Sequence, residues 1–522
     1  MSVPLSAFAV HLRPTDNVAV ARKPIPAGTT FEFDGGTFDL PAAVRMGHKF
    51  AVVPIKEGDP VRKYGQVIGF AGRFIAPGEH VHVQNVTAGA FERDYAFATQ
   101  VPAPLPPPAE HRTFMGFDRG ATKAAHQRYG TRNYLAVIST VNCSASTSKY
   151  IADRVRALGL LKDYPNVDGV VAIVHRQGCG MQFDGPDHQQ LDRTLAGFAR
   201  HPNVAAYLLV GLGCEIVQAS HLIEQEHLNL IQLDGTRGAP LALSIQECGG
   251  IGQTVEAGVK AVAALLPRVN DVRRVQLPAR HLILGTNCGG SDGNSGVTAN
   301  PALGVASDLM VQQGGTSVLG ETTEIYGAEH ILTRRAVSKA VGEKLIERIK
   351  WWEWYTSIFG AEINNNPSPG NKEGGLTTIY EKSLGAIAKA GTTAMVDVYR
   401  YAEPVTAKGF VVMDTPGYDP VSMTGIVAGG ANVCVFTTGR GSVFGCKPAP
   451  CIKVATNTPL YTHMLGDMDI DAGRILDGVP VEAVGREIFE KVLAVASGER
   501  TKSELNGVGE EEFAPWSIGP TL

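Results

Sequence analysis

The 522-residue chain carries no excess of either charge: 47 Lys and Arg face 51 Asp and Glu, a net charge of −4. That balance leaves no basic face for nucleic-acid phosphates, so nucleic acid is not an expected partner. No stretch is long and apolar enough to read as a bilayer-spanning helix, so no membrane partner is expected either. The N-terminus, MSVPLSAFAVHLRPTD, lacks a basic start and an extended apolar core. It is a poor signal peptide, and the protein is expected in the cytoplasm. Eight cysteines are too sparse for a disulfide scaffold, and none forms a CxxC pair. A Walker phosphate loop and a complete dinucleotide fingerprint are both missing, which disfavours a nucleotide cofactor. What is present is an ordinary globular composition, 44% hydrophobic, with length for roughly two to four domains.

Residues 1–98 read as a small all-β domain. Short apolar runs at Val18–Val20, Phe50–Val53, Gln66–Gly69 and His80–Val83 are separated by turn signals such as Asp34-Gly35-Gly36 and Pro77-Gly78. Residues 99–112 form a linker around the stretch from Val101 to Pro108, whose prolines make a stiff connector able to let the first domain swing or dock. From 113 the pattern becomes strands alternating with helices, the rhythm of a parallel sheet. In a middle α/β domain, 113–268, the expected strands are Leu135–Val141, Val170–His175, Tyr207–Gly211 and Leu228–Leu233, with helices at Ser148–Leu158, His188–Ala199 and Ala219–Glu226. The last domain, 269–522, opens with strand Leu282–Leu284, helix Pro301–Val311 and strand Thr316–Leu319. One long helix is expected from Ala328 to about Tyr355, irregular chain over Asn364–Lys372, helix at Leu376–Ala390, and strands at Val396–Tyr399, Phe410–Met413, Val433–Phe436 and Ile452–Ala455. The polar tail after about residue 500 is expected to be loosely ordered.

The stretch His281–His330 concentrates the candidate chemistry. Its two strands end at Cys288 and Asp292 and at Glu321 and Glu324, placing a thiol and three carboxylates at one end of a parallel sheet. Ligands of open α/β sheets bind outside that end. Cys143, Cys179, Cys214 and Cys288 each follow an apolar run beside Gly or Asn. If the strands align, the four thiols converge at one edge and can hold iron or an iron–sulfur cluster; for any single one, burial in a core is the plain alternative. Gly289-Gly290-Ser291-Asp292-Gly293 fits a hydrolase nucleophile elbow, but no helix signal follows at once. Gly439-Arg440-Gly441-Ser442 offers backbone donors and a guanidinium to a carboxylate, and Lys372 and Lys453 have similar status. His80 and His82 share one face of a strand. Metal-binding acids and thiols, cations for a carboxylate, and histidines to move protons together suit removal of water β to a carboxylate.

The motifs Gly47-His48-Lys49, Lys63-Tyr64-Gly65, GEHVH (Gly78–His82), Thr131-Arg132-Asn133-Tyr134, Val141-Asn142-Cys143, Gly178-Cys179-Gly180, GLGCE (Gly211–Glu215), CGGSDGNSGVTANPALG (Cys288–Gly304), NPSPGNKEGGLTT (Asn366–Thr378) and FTTGRG (Phe436–Gly441) run nearly the whole length. On these the chain resembles the altronate/galactarate dehydratase family in the form with a fused N-terminal SAF (β-clip) domain. The GEHVH run sits closer to the altronate type. The resemblance implies an iron-dependent hydro-lyase (Fe2+, another divalent metal, or a cluster) acting on a sugar acid to give a 2-keto-3-deoxy acid, a mobile β-clip domain, a dimerising middle domain making a homodimer, and a Rossmann-like last domain. It implies metal and active-site positions at Cys143, His175, Cys179, Cys214, Cys288, Asp292, Glu321 and Glu324, with His48 and His82 delivered from the first domain. The division of roles is read here as the thiols and carboxylates for metal, His175, His82 and His48 for catalysis, and Lys49, Ser291, Lys372, Arg440 and Lys453 for substrate. Where altronate-type relatives read HVHxHN, this chain has Gln84, and residues 117–130 depart from the usual junction. Sulfolactate sulfo-lyase chemistry is the alternative within the family, and a non-catalytic sugar-acid binder the alternative outside it.

Overall fold

The structure is a computed structural model describing all residues except 1, 90–94, 121–127, 229, 232–236, 239–240 and 522. The N-terminal domain is built from short strands. Ala9–Val10, Val18–Ala21, Lys49–Ala51 and His80–Val81 form a four-stranded antiparallel sheet in that order, flanked by two three-stranded sheets. Its turns need glycine where chains approach closely: a Cβ on Gly78, at φ +82°, would lie 2.0 Å from the Asp39 carbonyl oxygen. The domain does not bury its apolar face alone. Val61, Ile68, Ile75 and Val81 share one core with Leu319, Leu384, Phe410 and Val412 of the last domain. The proline stretch runs along the last domain as well: Gln312 donates to the Pro106 carbonyl at 3.0 Å and the Arg112 amide donates to Gln313 at 2.8 Å.

In the middle domain β1 (Tyr134–Ser139), β2 (Gly169–Ile173), β3 (Val204–Gly211) and β4 (Leu241–Ser244) make a parallel sheet in the order β2-β1-β3-β4. The fourth strand differs from the expected Leu228–Leu233. Leu230–Ile231 instead pairs antiparallel with Arg237–Gly238, and residues 229 and 232–233 lie outside the described residues. Residue 268, read from sequence as the end of this domain, lies inside the helix Ile251–Asn270. Strand Thr113–Asp118, before the sheet, pairs antiparallel with Val275–Pro278, after it.

The last domain holds a seven-stranded, all-parallel sheet. Its strands are β5 (Ile283–Cys288), β6 (Thr316–Leu319), β7 (Met395–Tyr399), β8 (Gly409–Met413), β9 (Val433–Thr438), β10 (Cys451–Ala455) and β11 (Ile470–Asp471), in the order β7-β8-β6-β5-β9-β10-β11. The sheet grows one way from β5 to β6 and the other way at β9, so the topological switch lies at the β5 and β9 ends.

Three local expectations are corrected. The long helix is two, Glu329–Arg334 and Lys339–Ile358, because Ala336 bridges to Met395 at the sheet edge and Ser338 caps the second helix through the Val341 amide. Asn364–Lys372 is not irregular throughout: Ser368 and Asn371 form a reciprocal capping box that starts the helix Pro369–Glu373. The tail is pinned. Arg132, nearly fully buried, donates to both Glu504 oxygens at 2.6 and 2.8 Å, and Trp516 stacks on Trp352 at 4.9 Å. Among the described residues no helix is long and apolar enough to cross a membrane.

Candidate active site

The loops leaving β5 and β9 are laced together. Gly439 and Arg440 donate their amides to the Gly290 carbonyl at 3.1 and 2.8 Å, and Gly289 donates to Thr437 at 3.1 Å. Asp292 is buried in this lacing, accepting from Thr456, Ser295 and the Asn294 amide at 3.0–3.1 Å. A Cβ on Gly439 would lie 2.2 Å from its carboxyl carbon. Asp292 therefore braces the loop, and it stands apart from Glu321 and Glu324, with which the sequence grouped it. The Ser291 hydroxyl is buried without a hydrogen-bond partner among the described residues, while its backbone carbonyl accepts from Asn371 at 2.9 Å. No helix follows until Ala299, so the nucleophile-elbow geometry is not formed.

Above this edge sit three histidines of the N-terminal domain. His48, His80 and His82 lie with ring centroids 5.2–5.4 Å apart, two of the three pairs near parallel. His48 Nε2 faces the Glu373 carbonyl at 3.0 Å and His82 Nε2 faces the Lys372 carbonyl at 2.8 Å. A carbonyl only accepts, so both Nε2 atoms carry protons in the tautomers this network assigns. His48 Nδ1 then accepts from His80 Nε2 at 3.0 Å, and His82 Nδ1 keeps a lone pair. Burial, followed by the neighbouring cationic and imidazole groups, pushes His48 and His80 down to about 4 and lowers His82, so all three are neutral at pH 7. Beside them Arg440 reaches Glu373 at 3.3 Å, both side chains exposed. His48, His82, Lys372, Arg440 and Ser291 thus belong to one network of loops. His80, placed from the sequence on one strand face with His82 but given no catalytic role, joins them.

The contact that brings the histidines here is glycine against glycine. A Cβ on Gly293 would lie 1.9 Å from the Gly47 carbonyl oxygen, and one on Gly375 2.5 Å from the same atom. Beneath it Lys49 and Lys63 grip the two oxygens of Glu381, each at 2.9 Å, with all three side chains essentially inaccessible. Lys49 also donates to the Gly375 carbonyl at 2.7 Å. Lys49 is therefore a docking residue, its buried ammonium committed to Glu381 and the Gly375 carbonyl, in place of its expected role as a substrate contact. Glu381 and Lys63 carried no sequence signal of this role, since a charge within an apolar helical stretch names no partner.

Cys288, Glu321 and Glu324 come together, buried, with one donor atom of each within 4.8 Å of the others. Glu321 adopts φ 62°, unusual for a residue with a Cβ, and its amide donates to Thr415. Two lysines missed in the sequence fill the cluster: Lys389 lies 2.8 Å from Cys288 Sγ and contacts Glu321, and Lys382 lies 2.6 Å from Glu324. Burial, with Glu321 beside it, pushes the Cys288 thiol up to about 12, so the thiol keeps its proton at neutral pH, and burial raises Glu321 as well. The donor set suits a divalent cation, but Lys389 stands where the cation would, so these three residues do not fit iron as arranged.

The other thiols differ. Cys143, Cys179 and Cys214 follow β1, β2 and β3, three adjacent strands, and are exposed and free; Cys288 belongs to the other sheet, so four thiols do not converge. Their loops are tied to one another. Asn142 donates its amide to Gln177 at 2.8 Å, Ile216 donates to Gly178 at 3.0 Å, and a Cβ on Gly178 would lie 2.3 Å from the Thr140 carbonyl oxygen. No lysine or arginine is paired with these thiols among the described residues. Their sulfurs do not all lie within 4.8 Å of one another, so as arranged they do not close around a single ion, while thiolates are the ligand type that iron clusters take. His175 is buried nearby in sequence with both nitrogens engaged, Nε2 by the Ser139 carbonyl at 3.0 Å and Nδ1 by the Gln177 amide at 3.1 Å. Lys453 is buried too, donating to the Phe444 carbonyl and to Ser503. Neither side chain is free to meet a substrate as arranged.

Known proteins match this architecture along its length. Residues 7–89 match the altronate/galactarate dehydratase SAF domain, 122–270 the second domain of D-galactarate dehydratase/altronate hydrolase, and 279–521 the C-terminal domain of D-galactarate/altronate dehydratase. Altronate dehydratase of Bacillus subtilis (strain 168) is 35% identical over 515 residues, covering 98% of this chain and 99% of its own. Altronate dehydratase of Escherichia coli (strain K12) is 34% identical over 517 residues, with 98% and 99% covered. Galactarate dehydratase (L-threo-forming) of the same strain is 38% identical over 502 residues, with 95% and 94% covered. With all three domains matched in order, this chain belongs to the altronate/galactarate dehydratase family of hydro-lyases.

Proposed function

We propose that the chain dehydrates an altronate- or galactarate-class sugar acid to a 2-keto-3-deoxy acid, with iron as cofactor. The observation that carries this reading is the stack of three neutral imidazoles held by the N-terminal domain over the loop of Lys372 and Glu373, beside Arg440. Elimination β to a carboxylate needs a base for the α-proton and cations for the charge that develops on the carboxylate side. His82 offers a lone pair at Nδ1, its opposite nitrogen fixed by the Lys372 carbonyl. Arg440 and Lys372 are the cations on the same loops, and a substrate carboxylate takes the place of Glu373 on the Arg440 guanidinium. His80 Nε2 donates to His48 Nδ1 and His48 Nε2 to the Glu373 carbonyl, a chain that fixes both rings beside His82; the proton that His82 takes up is the one available to the departing hydroxyl.

For iron, the thiols of Cys143, Cys179 and Cys214 are the residues that would hold it. When bound, iron supplies a Lewis acid that polarises oxygen. The test is an anaerobic assay with Fe2+ and a thiol reductant, following 2-keto-3-deoxy acid from altronate, galactarate and their epimers. Turnover of one acid, lost in His82→Ala and lowered mainly through KM in Arg440→Ala, supports the reading. No keto acid from any of them, with sulfite released from sulfolactate, overturns it.

A further inference from the structure

We propose that His188, Asp192 and His221 form a site for one divalent transition-metal ion of the zinc class, distinct from the dehydratase site. His188 and Asp192 lie four residues apart on the helix Pro186–Ala199, so they share a face, and His221 comes from the helix Ala219–Gln225. One donor atom of each lies within 4.8 Å of the other two. Asp192 Oδ2 is 3.6 Å from His188 Nε2 and 3.7 Å from His221 Nε2. Those separations are too long for hydrogen bonds. They are close to the edge of a tetrahedral site, about 3.3–3.4 Å for metal–ligand bonds of roughly 2.0–2.1 Å. The three donors therefore stand around a gap of ionic size.

Two further observations point to a cation in that gap. His188 Nε2 and Asp192 Oδ1 are buried and have no hydrogen-bond partner among the described residues. Buried polar atoms are rarely left so, and an ion is one recognised reason. No lysine or arginine pairs with Asp192 among the described residues, whereas Lys389 and Lys382 fill the Cys288 cluster. Phe183 packs against both imidazoles at 5.1–5.2 Å, and the partial exposure of His221 leaves a side open for a fourth ligand such as water.

Coordination has one local consequence. His188 Nδ1 now accepts the Asp184 amide at 2.9 Å. Ligation through Nε2 requires the ring proton on Nδ1, so that amide must turn away, exchanging one hydrogen bond for three metal bonds. The loop that turns is the one between Cys179 and the helix, and the same helix packs its Gly197 against Ala428 of the last domain, where a Cβ would lie 2.4 Å from the Ala428 carbonyl oxygen.

The experiment uses the full chain freed of metal with a chelator and titrated with Zn2+ by calorimetry and with Co2+ by visible absorption. Asp192→Asn and His221→Gln are compared with the parent chain, folding being checked by circular dichroism. The expected result is one fewer Zn2+ equivalent, or an affinity at least about 100-fold weaker, in each variant, given that even outer-shell losses cost 10–100-fold. The Co2+ bands lost in the variants should be those of a four-coordinate nitrogen and oxygen site, without thiolate charge transfer. Unchanged stoichiometry and affinity in both variants overturns the proposal. Dehydratase turnover does not enter the readout, so this result is independent of the proposed activity.

Discussion

Replacing Glu381 by alanine tests how the N-terminal domain is held over the last one. Glu381 is the sole counter-charge to Lys49 and Lys63 among the described residues, with all three side chains at 0–1% exposure. Burial by itself would raise the Glu381 carboxyl, but the two ammoniums reverse this and hold it well below the usual carboxylate range. Removing one partner of such a buried pair costs about 3–5 kcal/mol, because an uncompensated charge stays in the interior. At about 1.4 kcal/mol per factor of ten, the undocked population should rise by two to three and a half orders of magnitude. The assay is limited proteolysis within residues 99–112, with hydrogen exchange at His80–Val81 as a second reporter. Glu381→Ala should accelerate both and abolish turnover, with secondary structure retained. The triple change Lys49→Met, Lys63→Met, Glu381→Leu removes the charges together, and buried ion groups replaced by apolar ones are often neutral or stabilising. It should therefore keep the domain docked. The reasoning fails if Glu381→Ala cleaves at the parent rate, or if the triple variant undocks as readily as the single one.

Lowering pH should loosen the same interface. His48 and His80 titrate near 4 when docked and near 6.5 when released, so the released state binds more protons between those values. The stabilisation is full above pH 6.5 and declines as pH falls toward 4, which proteolysis of the linker between pH 7 and 4.5 should show; His48→Gln should flatten the profile. Gly293→Ala places a Cβ 1.9 Å from the Gly47 carbonyl oxygen and should cut turnover sharply, while Gly466→Ala, with no atom within 4 Å, should leave it unchanged. Lys389→Met strips Glu321 of its ammonium and should destabilise the last domain by about 3–5 kcal/mol, read as a fall in denaturant midpoint that Glu321→Gln in the same chain largely restores.

The periodic parts of the fold were legible. Apolar runs located β1–β3 and β5–β10, and the alternation of strands and helices gave the parallel sheets, since burial on both faces leaves a readable apolar run. The N-terminal strands were marked by their turn residues. Breaks set by tertiary contacts were not: nothing in Arg335–Ser338 announces that Ala336 will bridge to Met395. The polar tail looked free because Glu504 and Trp516 reveal their partners, Arg132 and Trp352, only in three dimensions. The same holds for the site. His48, His82, Lys372 and Arg440 could be named from motifs, and their meeting was reached through the family resemblance. Lys389, Lys382 and Glu381 could not, because a buried charge is identified by the opposite charge beside it. His188, Asp192 and His221 escaped for a related reason: the i, i+4 pair was visible, but the third residue lies on another helix.

The histidine-to-carbonyl contacts join residue 48 to residue 373, 325 positions later. A ribosome adding roughly 5–20 residues per second needs about 16–65 s to cover that distance. For that interval the N-terminal strands exist with Val61, Ile68, Ile75 and Val81 lacking the other half of their core. The nascent chain therefore carries a sticky, unfinished surface through most of its synthesis, and its three histidines meet the Lys372–Glu373 loop only after that loop has emerged. A weakened Gly47–Gly293 contact should therefore be felt in a cell as chaperone demand as well as in catalytic rate.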